Sequence, residues 1–131
     1  MCIEKINPAG LHEPEGYTHV VVAKQTTRVY VAGQVGVGPD DAVVGTDLAS
    51  QTSQAFENVR LALAAAGAGW EHVVKLTIYI VDFDEAKMAE FGAGMGAAME
   101  AGMTPTAATL VGVQALYRPD LLVEIEAIAE L

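Results

Sequence analysis

The sequence predicts an α+β fold: a mixed sheet of about six strands, with two helices packed on one of its faces. Three observations predict it. Short β-branched or alternating runs recur along the chain, two longer stretches carry helical spacing, and the elements follow the order ββ(β)αβαββ.

The elements can be justified in turn. "THVVVA" (Thr18 to Ala23) is a β-branched strand, "KQTT" (Lys24 to Thr27) a polar break, and "RVYVAGQVGV" (Arg28 to Val37) alternates again. Together they read as a hairpin. "GPDDAVVG" (Gly38 to Gly45) carries turn residues around a short strand. Thr46 or Asp47 can cap the first helix. Its buried stripe would be Leu48, Ala55, Val59, Ala62, Leu63 and Ala66, with Gly67 as the stop.

"HVVKLTIYIVD" (His72 to Asp82) is the clearest strand. Val74, Leu76, Ile78 and Ile80 mark one face, and Lys75, Thr77 and Tyr79 the other. Asp84 can cap a second helix running to about Gly102. Its "GAGMGAAMEAGM" stretch suits close packing, and Met88, Met95 and Met99 read as packing residues. "ATLVGV" (Ala108 to Val113) and "LLVEIEAIA" (Leu121 to Ala129) are the last strands. "LYRPD" joins them, with Pro119 at the second position of a tight turn.

With both helices on one face, the other face of the sheet is uncovered. Tyr30, Thr77, Tyr79 and Ile128 are expected there, too apolar for a plain solvent face. A symmetric homo-oligomer would cover it.

Composition narrows the function. The chain has 131 residues, the size of one domain, and 52% of them are apolar. The formal net charge of −10, with seven Lys and Arg, disfavours nucleic acid and anionic membranes. Apolar runs are too short for a membrane span, and the N-terminus has no basic-then-apolar leader pattern. Cys2 is the only cysteine, which fits a reducing, cytoplasmic setting and excludes an intrachain disulfide. The three histidines lack metal-ligand spacing.

Glu124 and Glu126 stand two apart in an apolar strand, so they share a face. A carboxylate in a partly dry cleft can activate water or protonate a leaving amine. Taken alone, the pair also fits edge or interface carboxylates with ordinary partners. Tyr17 and His19 are likewise two apart. His19 could shuttle a proton, or the two could simply close the end of the sheet.

"INPAGL", "GYTHVV", "VYVAGQVG", "ENVRLALAAAGAGWEHVVKLTIYIVD" and "LVGVQALYRPDLLVEIEAIA" together resemble the Rid family, also called YjgF-like or L-PSP-endoribonuclease-like proteins. The resemblance runs in order along nearly the whole chain. It implies a chorismate-mutase-like fold, a homotrimer, and small-molecule clefts between neighbouring subunits. The implied activity is hydrolysis of imines and enamines such as 2-iminopropanoate, with no metal or organic cofactor.

Residue by residue, the resemblance implies that Glu124 positions water and that Gly33 offers a backbone contact. Ala32 stands where the family has a serine. It also implies that Tyr17 and His19 shape the cleft, while Glu126 stays structural. An arginine that grips the substrate carboxylate would fall at Ala108, next to Thr109. Losing one such charge-assisted bond costs about 1.5–3 kcal/mol, or about one to two orders of magnitude in affinity. Lys24, Arg28 or Arg118 could supply a substitute cation. Two functions follow: a Rid-like hydrolase whose substrate lacks a carboxylate, or a metabolite-binding trimer without deaminase chemistry.

Overall fold

The computed structural model describes residues 2–131. In chain order the elements are β1 (Ile3–Ile6), β2 (Val20–Ala23), β3 (Arg28–Val35), α1 (Leu48–Ala65), a 3₁₀ turn (Trp70–His72), β4 (Val73–Val81), α2 (Glu85–Gly94), α3 (Gly96–Glu100), β5 (Ala107–Val113) and β6 (Val123–Glu130). β1 and β2 form an antiparallel ribbon, and the other strands form a sheet in the order β3-β6-β4-β5. β4 and β5 are parallel, and β6 runs antiparallel to both of its neighbours. The fold is α+β with a mixed sheet, as the sequence predicts.

The expected β2–β3 hairpin does not form. The Lys24–Thr27 break is divided between the two sheets instead of turning. Lys24 N–H donates to the Cys2 carbonyl and extends the ribbon, while Thr27 exchanges backbone hydrogen bonds with Leu131 and extends the β3–β6 ladder. The first strand is also shorter than expected, because Thr18 N–H donates to the Thr106 carbonyl ahead of β5.

Asp47 caps α1, its carboxylate accepting from Ser50 N–H at 2.9 Å. Gly67, at φ +76°, ends the helix in a left-handed turn. The buried stripe holds Leu48, Ala55, Val59 and Leu63 as expected and adds Phe56, Gln51 and Thr52; Ala66 lies outside it. Gln51 is buried but satisfied. Its amide donates to the Gly45 and Asp120 carbonyls, and its oxygen accepts from Leu122 N–H.

The second helix is broken in two at Met95. Glycines 92, 94 and 96 weaken it, and Gly94 is held tightly against α1. A Cβ at Gly94 would lie 2.6 Å from Thr52 Cβ and 2.7 Å from the Ala49 carbonyl oxygen. Of the three methionines expected to pack, Met95 rests on the core, whereas Met88 and Met99 are exposed.

The core lies between α1, α2 and the inner sheet face. Phe56, Leu63, Ile80, Val123 and Ile125 are fully enclosed there. Each such side chain contributes roughly 1.5–3 kcal/mol by burial. A register shift between Val73 and Lys75 sends Val73, not Val74, inward. The turn before β6 closes with Leu121 N–H donating to the Arg118 carbonyl, Pro119 standing second.

Candidate functional site

The strict alternation of β6 puts Val123, Ile125, Ala127 and Ala129 in the core and turns Glu124, Glu126 and Ile128 to the open face. On β4 the matching residues are Tyr79 opposite Glu124 and Thr77 opposite Glu126. Tyr79 Oη donates a short hydrogen bond to Glu126 Oε1. That bond holds the phenol above its usual pKa, with burial and the charges of Glu126 and Glu124 acting in the same direction. Tyr79 therefore stays protonated beside two carboxylates.

Glu124 has a different setting. The β3–β6 ladder shifts register between Val31 and Gln34, so Ala32 and Gly33 lie at a bulge. The Glu124 carboxylate lies over Gly33: a Cβ there would stand 1.8 Å from Oε2. Only a glycine admits this approach. Among the described residues no side chain pairs with the Glu124 carboxylate, which leaves it available to a ligand or water.

Below it on the same face is a hollow of about 380 Å³. Tyr30, Ala32, Lys75, Thr77, Glu126 and Ile128 line it. Lys75 Nζ donates to Thr109 Oγ1 at 3.0 Å across the β4–β5 pair. This part of the open face thus carries the Glu124 and Glu126 carboxylates, the Tyr30 and Tyr79 phenols, the Thr77 and Thr109 hydroxyls and the Lys75 ammonium.

Tyr17 and His19 are not part of this group. Tyr17 Oη lies 2.6 Å from His12 Nε2. The His19 ring stands edge-on to both, with centroids 5.2 Å from Tyr17 and 4.8 Å from His12. Through Thr18 the cluster is fixed to Thr106, at the start of β5. That end of the sheet, at the level of Lys75, is four residues from Tyr79, the partner of Glu124, or about 13 Å. Within one chain the two groups are separate.

Ala108 requires a correction. It pairs in register with Leu76, a core residue, and lines a hollow on the helix side. Ala107, paired with Lys75, is the β5 residue on the open face at that level. Neighbouring residues of a strand point to opposite faces, so counting back from "LVGV" to Ala108 instead of Ala107 puts the expected arginine on the helix side. Thr109 does lie on the open face, paired with Thr77.

The substitute cations expected from the sequence are all remote from Glu124, with Arg28 at the far end of the open face. Arg118 is paired with Asp41 at 3.0 Å and Asp120 at 3.5 Å, Arg28 faces Glu130 at 3.7 Å, and Lys24 is exposed on the connector after β2. Sequence reasoning passed over Lys75, although period-two alternation had already set Lys75 and Tyr79 on one face. Among the described residues, no three His, Cys, Asp or Glu side chains cluster closely enough to hold a metal ion. No helix there is long and apolar enough to cross a membrane.

Residues 10–131 match the family described as Endoribonuclease L-PSP. A RutC family protein of Pyrococcus horikoshii is 37% identical over 103 residues, 77% of each chain. A 2-iminobutanoate/2-iminopropanoate deaminase of Salmonella typhimurium is 33% identical over 107 residues, 79% of each. A crystal structure of a Rid family protein of unknown function from Yersinia pestis superposes with a TM-score of 0.91 at 39% identity, covering 100% of both chains. With nearly all of its length matched in sequence and all of it in structure, the chain belongs to the Endoribonuclease L-PSP family, the proteins also known as Rid and YjgF-like.

Proposed function

We propose that the protein is a small-molecule hydrolase of imines or enamines, working at clefts between the subunits of a homotrimer. The observation that carries this reading is the Glu124 carboxylate, unpaired and seated over Gly33 on the open sheet face. Glu124 takes a proton from water as the oxygen adds to the C=N carbon. With a protonated imine the product is a carbinolamine; Glu124 returns the proton to its nitrogen and takes the hydroxyl proton as the C–N bond breaks, so the ketone forms and the departing ammonia carries the last proton away as ammonium. The deaminase name of the Salmonella relative supports the reaction class.

Distance within one chain supports a cleft shared between copies. Lys75 stands about 13 Å along the sheet from the level of Glu124, and Thr109 about 7 Å along it and two strands across. A three-carbon imino acid cannot reach from Glu124 to either, so the cation end of one copy is proposed to meet the Glu124 end of the next. Tyr17 and His19, at the cation end, would complete the same cleft.

A second reading, a metabolite-binding trimer without turnover, is favoured by one observation. No arginine stands on the open face beside Glu124; Ala107 and Lys75 occupy the cation end. A lone ammonium holds a carboxylate less firmly than a bidentate guanidinium. RNA cleavage, despite the family's description, is disfavoured by the net charge of −10.

The test is competition with semicarbazide for enzymatically generated 2-iminopropanoate, with a family deaminase as control. Turnover that disappears in Glu124→Gln, with oligomeric state unchanged, supports the hydrolase. Ligand-induced thermal stabilisation without turnover supports the binding protein. A monomer by light scattering removes the cleft altogether.

A further inference from the structure

We infer that the helix side of the sheet carries a second, separate binding site, built for a small hydrophobic amine. Between β4–β5 and the α2–α3 segment lies a hollow of about 340 Å³. Its walls include Leu76, Ile78, Phe91, Met95, Ala108 and Leu110, and the exposed Met88 and Met99 stand along it. Protein interiors leave few voids larger than a water molecule, and an apolar void of this size gives water few partners. Its volume and lining are those of small-molecule sites: apolar walls with a few polar groups. Unbranched methionines let such walls adapt to the occupant.

The polar groups at the hollow select the occupant's charge. Glu15 and Tyr17 both line it, and Glu15 is exposed. Among the described residues the Glu15 carboxylate has no ion-pair partner. Lys5 donates to Thr104 Oγ1 and the Pro105 carbonyl, residues of the same rim. The Tyr17 hydroxyl is engaged by His12. Glu15 is thus the charged group at the hollow without a partner, the Lys5 donors being taken up by neutral oxygens, and the whole chain carries −10. An aromatic or branched aliphatic body would fill the hollow, and its protonated amine would meet Glu15. The hollow lies across the sheet from Glu124 and shares only Tyr17 with the cleft proposed above; it rests on no step of the hydrolase reading.

The experiment is a titration of the full chain, labelled at the methionine methyls, with 2-phenylethylamine, 2-phenylethanol and 3-phenylpropanoate. Methyl resonances of Met88, Met95, Met99 and Met103 should shift saturably with the amine. The alcohol should bind about tenfold more weakly and the carboxylate more weakly still. Glu15→Gln, an exposed change, should bring the amine down to the alcohol. Ala108→Phe should fill the hollow and abolish the shifts. If Ala108→Phe does not fold, the Glu15→Gln comparison decides alone. Absence of shifts at millimolar amine, equal or tighter binding of the alcohol or carboxylate, or an unchanged amine affinity in Glu15→Gln would each overturn the proposal.

Discussion

Glu124 Oε2 occupies the space that a side chain at Gly33 would need, 1.8 Å from an ideal Cβ. The two residues come from β6 and from the bulge of β3, and each makes the other's position possible. Gly33→Ala should push the carboxylate aside while leaving the ladder intact, because the displaced atoms are the far end of a flexible side chain. A shift of about an ångström in a reacting group costs about a hundredfold in rate. Turnover in the semicarbazide assay should fall by that order with the circular dichroism spectrum unchanged. Full activity in Gly33→Ala would remove Glu124 from the chemistry.

Removing the charge tests the same group directly. Glu124→Gln keeps the shape of the side chain and loses its basicity. Turnover should drop by about 10²–10⁴-fold. Glu126→Gln should cost less, since Glu126 is already engaged by Tyr79. Steady-state kinetics on both variants gives the ranking, and the reverse order would reassign the base.

The face reversal on β5 separates two arginine substitutions that look equivalent in sequence. Ala107→Arg places a guanidinium beside Lys75 on the open face and should raise turnover of 2-imino acids by about tenfold or more. Ala108→Arg drives a charge into the apolar hollow beside Leu76. It should lower the melting temperature by on the order of 5 °C or more. Activity and thermal denaturation of the two variants check the register.

Tyr79 supplies a pH signature. The bond to Glu126 favours the protonated phenol, so the folded-state pKa lies above the unfolded one. The stabilisation is complete below the ordinary tyrosine pKa of about 10 and is lost as pH rises through the raised folded value. Glu126→Gln should move one phenol to a lower pH in an ultraviolet titration. An unchanged titration would mean that the bond is absent in solution.

Gly94 is the packing test. Gly94→Ala sets a methyl group against Thr52 Cβ and the Ala49 carbonyl oxygen, both closer than 3 Å. Overpacking of this kind costs about 1–3 kcal/mol, measurable by urea denaturation. Gly92→Ala, where a Cβ meets nothing within 4 Å, should be neutral or stabilising.

Where one periodicity settled the matter, the sequence was legible. β4 and β6 have a buried face on one side only, so period two assigned Glu124, Glu126, Thr77 and Tyr79 to one surface. The Asp47 cap and the Gly67 stop were local signals. Three features were not legible because they depend on tertiary partners. Lys24–Thr27 reads as a turn, yet Cys2 and Leu131 compete for its backbone groups. The break at Met95 depends on α1 lying against Gly94. Counting back from "LVGV" landed one residue late, at Ala108, and in a strand one residue is enough to move the expected cation site to the other face. Lys75 was placed on that face by the same alternation but given no role.

The position of β6 also bears on how the molecule assembles. β3 and β4 are joined to each other only through it, and it contributes Glu124 and five core residues, Leu121 among them just before the strand. Before β6 inserts, β3 has no partner in the sheet and the Gly33 bulge has nothing to seat. Contacts that wait on a strand so distant in sequence close slowly. Refolding should therefore deliver the seated Glu124 carboxylate and the bulk of the sheet in a single late step, the carboxylate arriving on the strand that locks the fold.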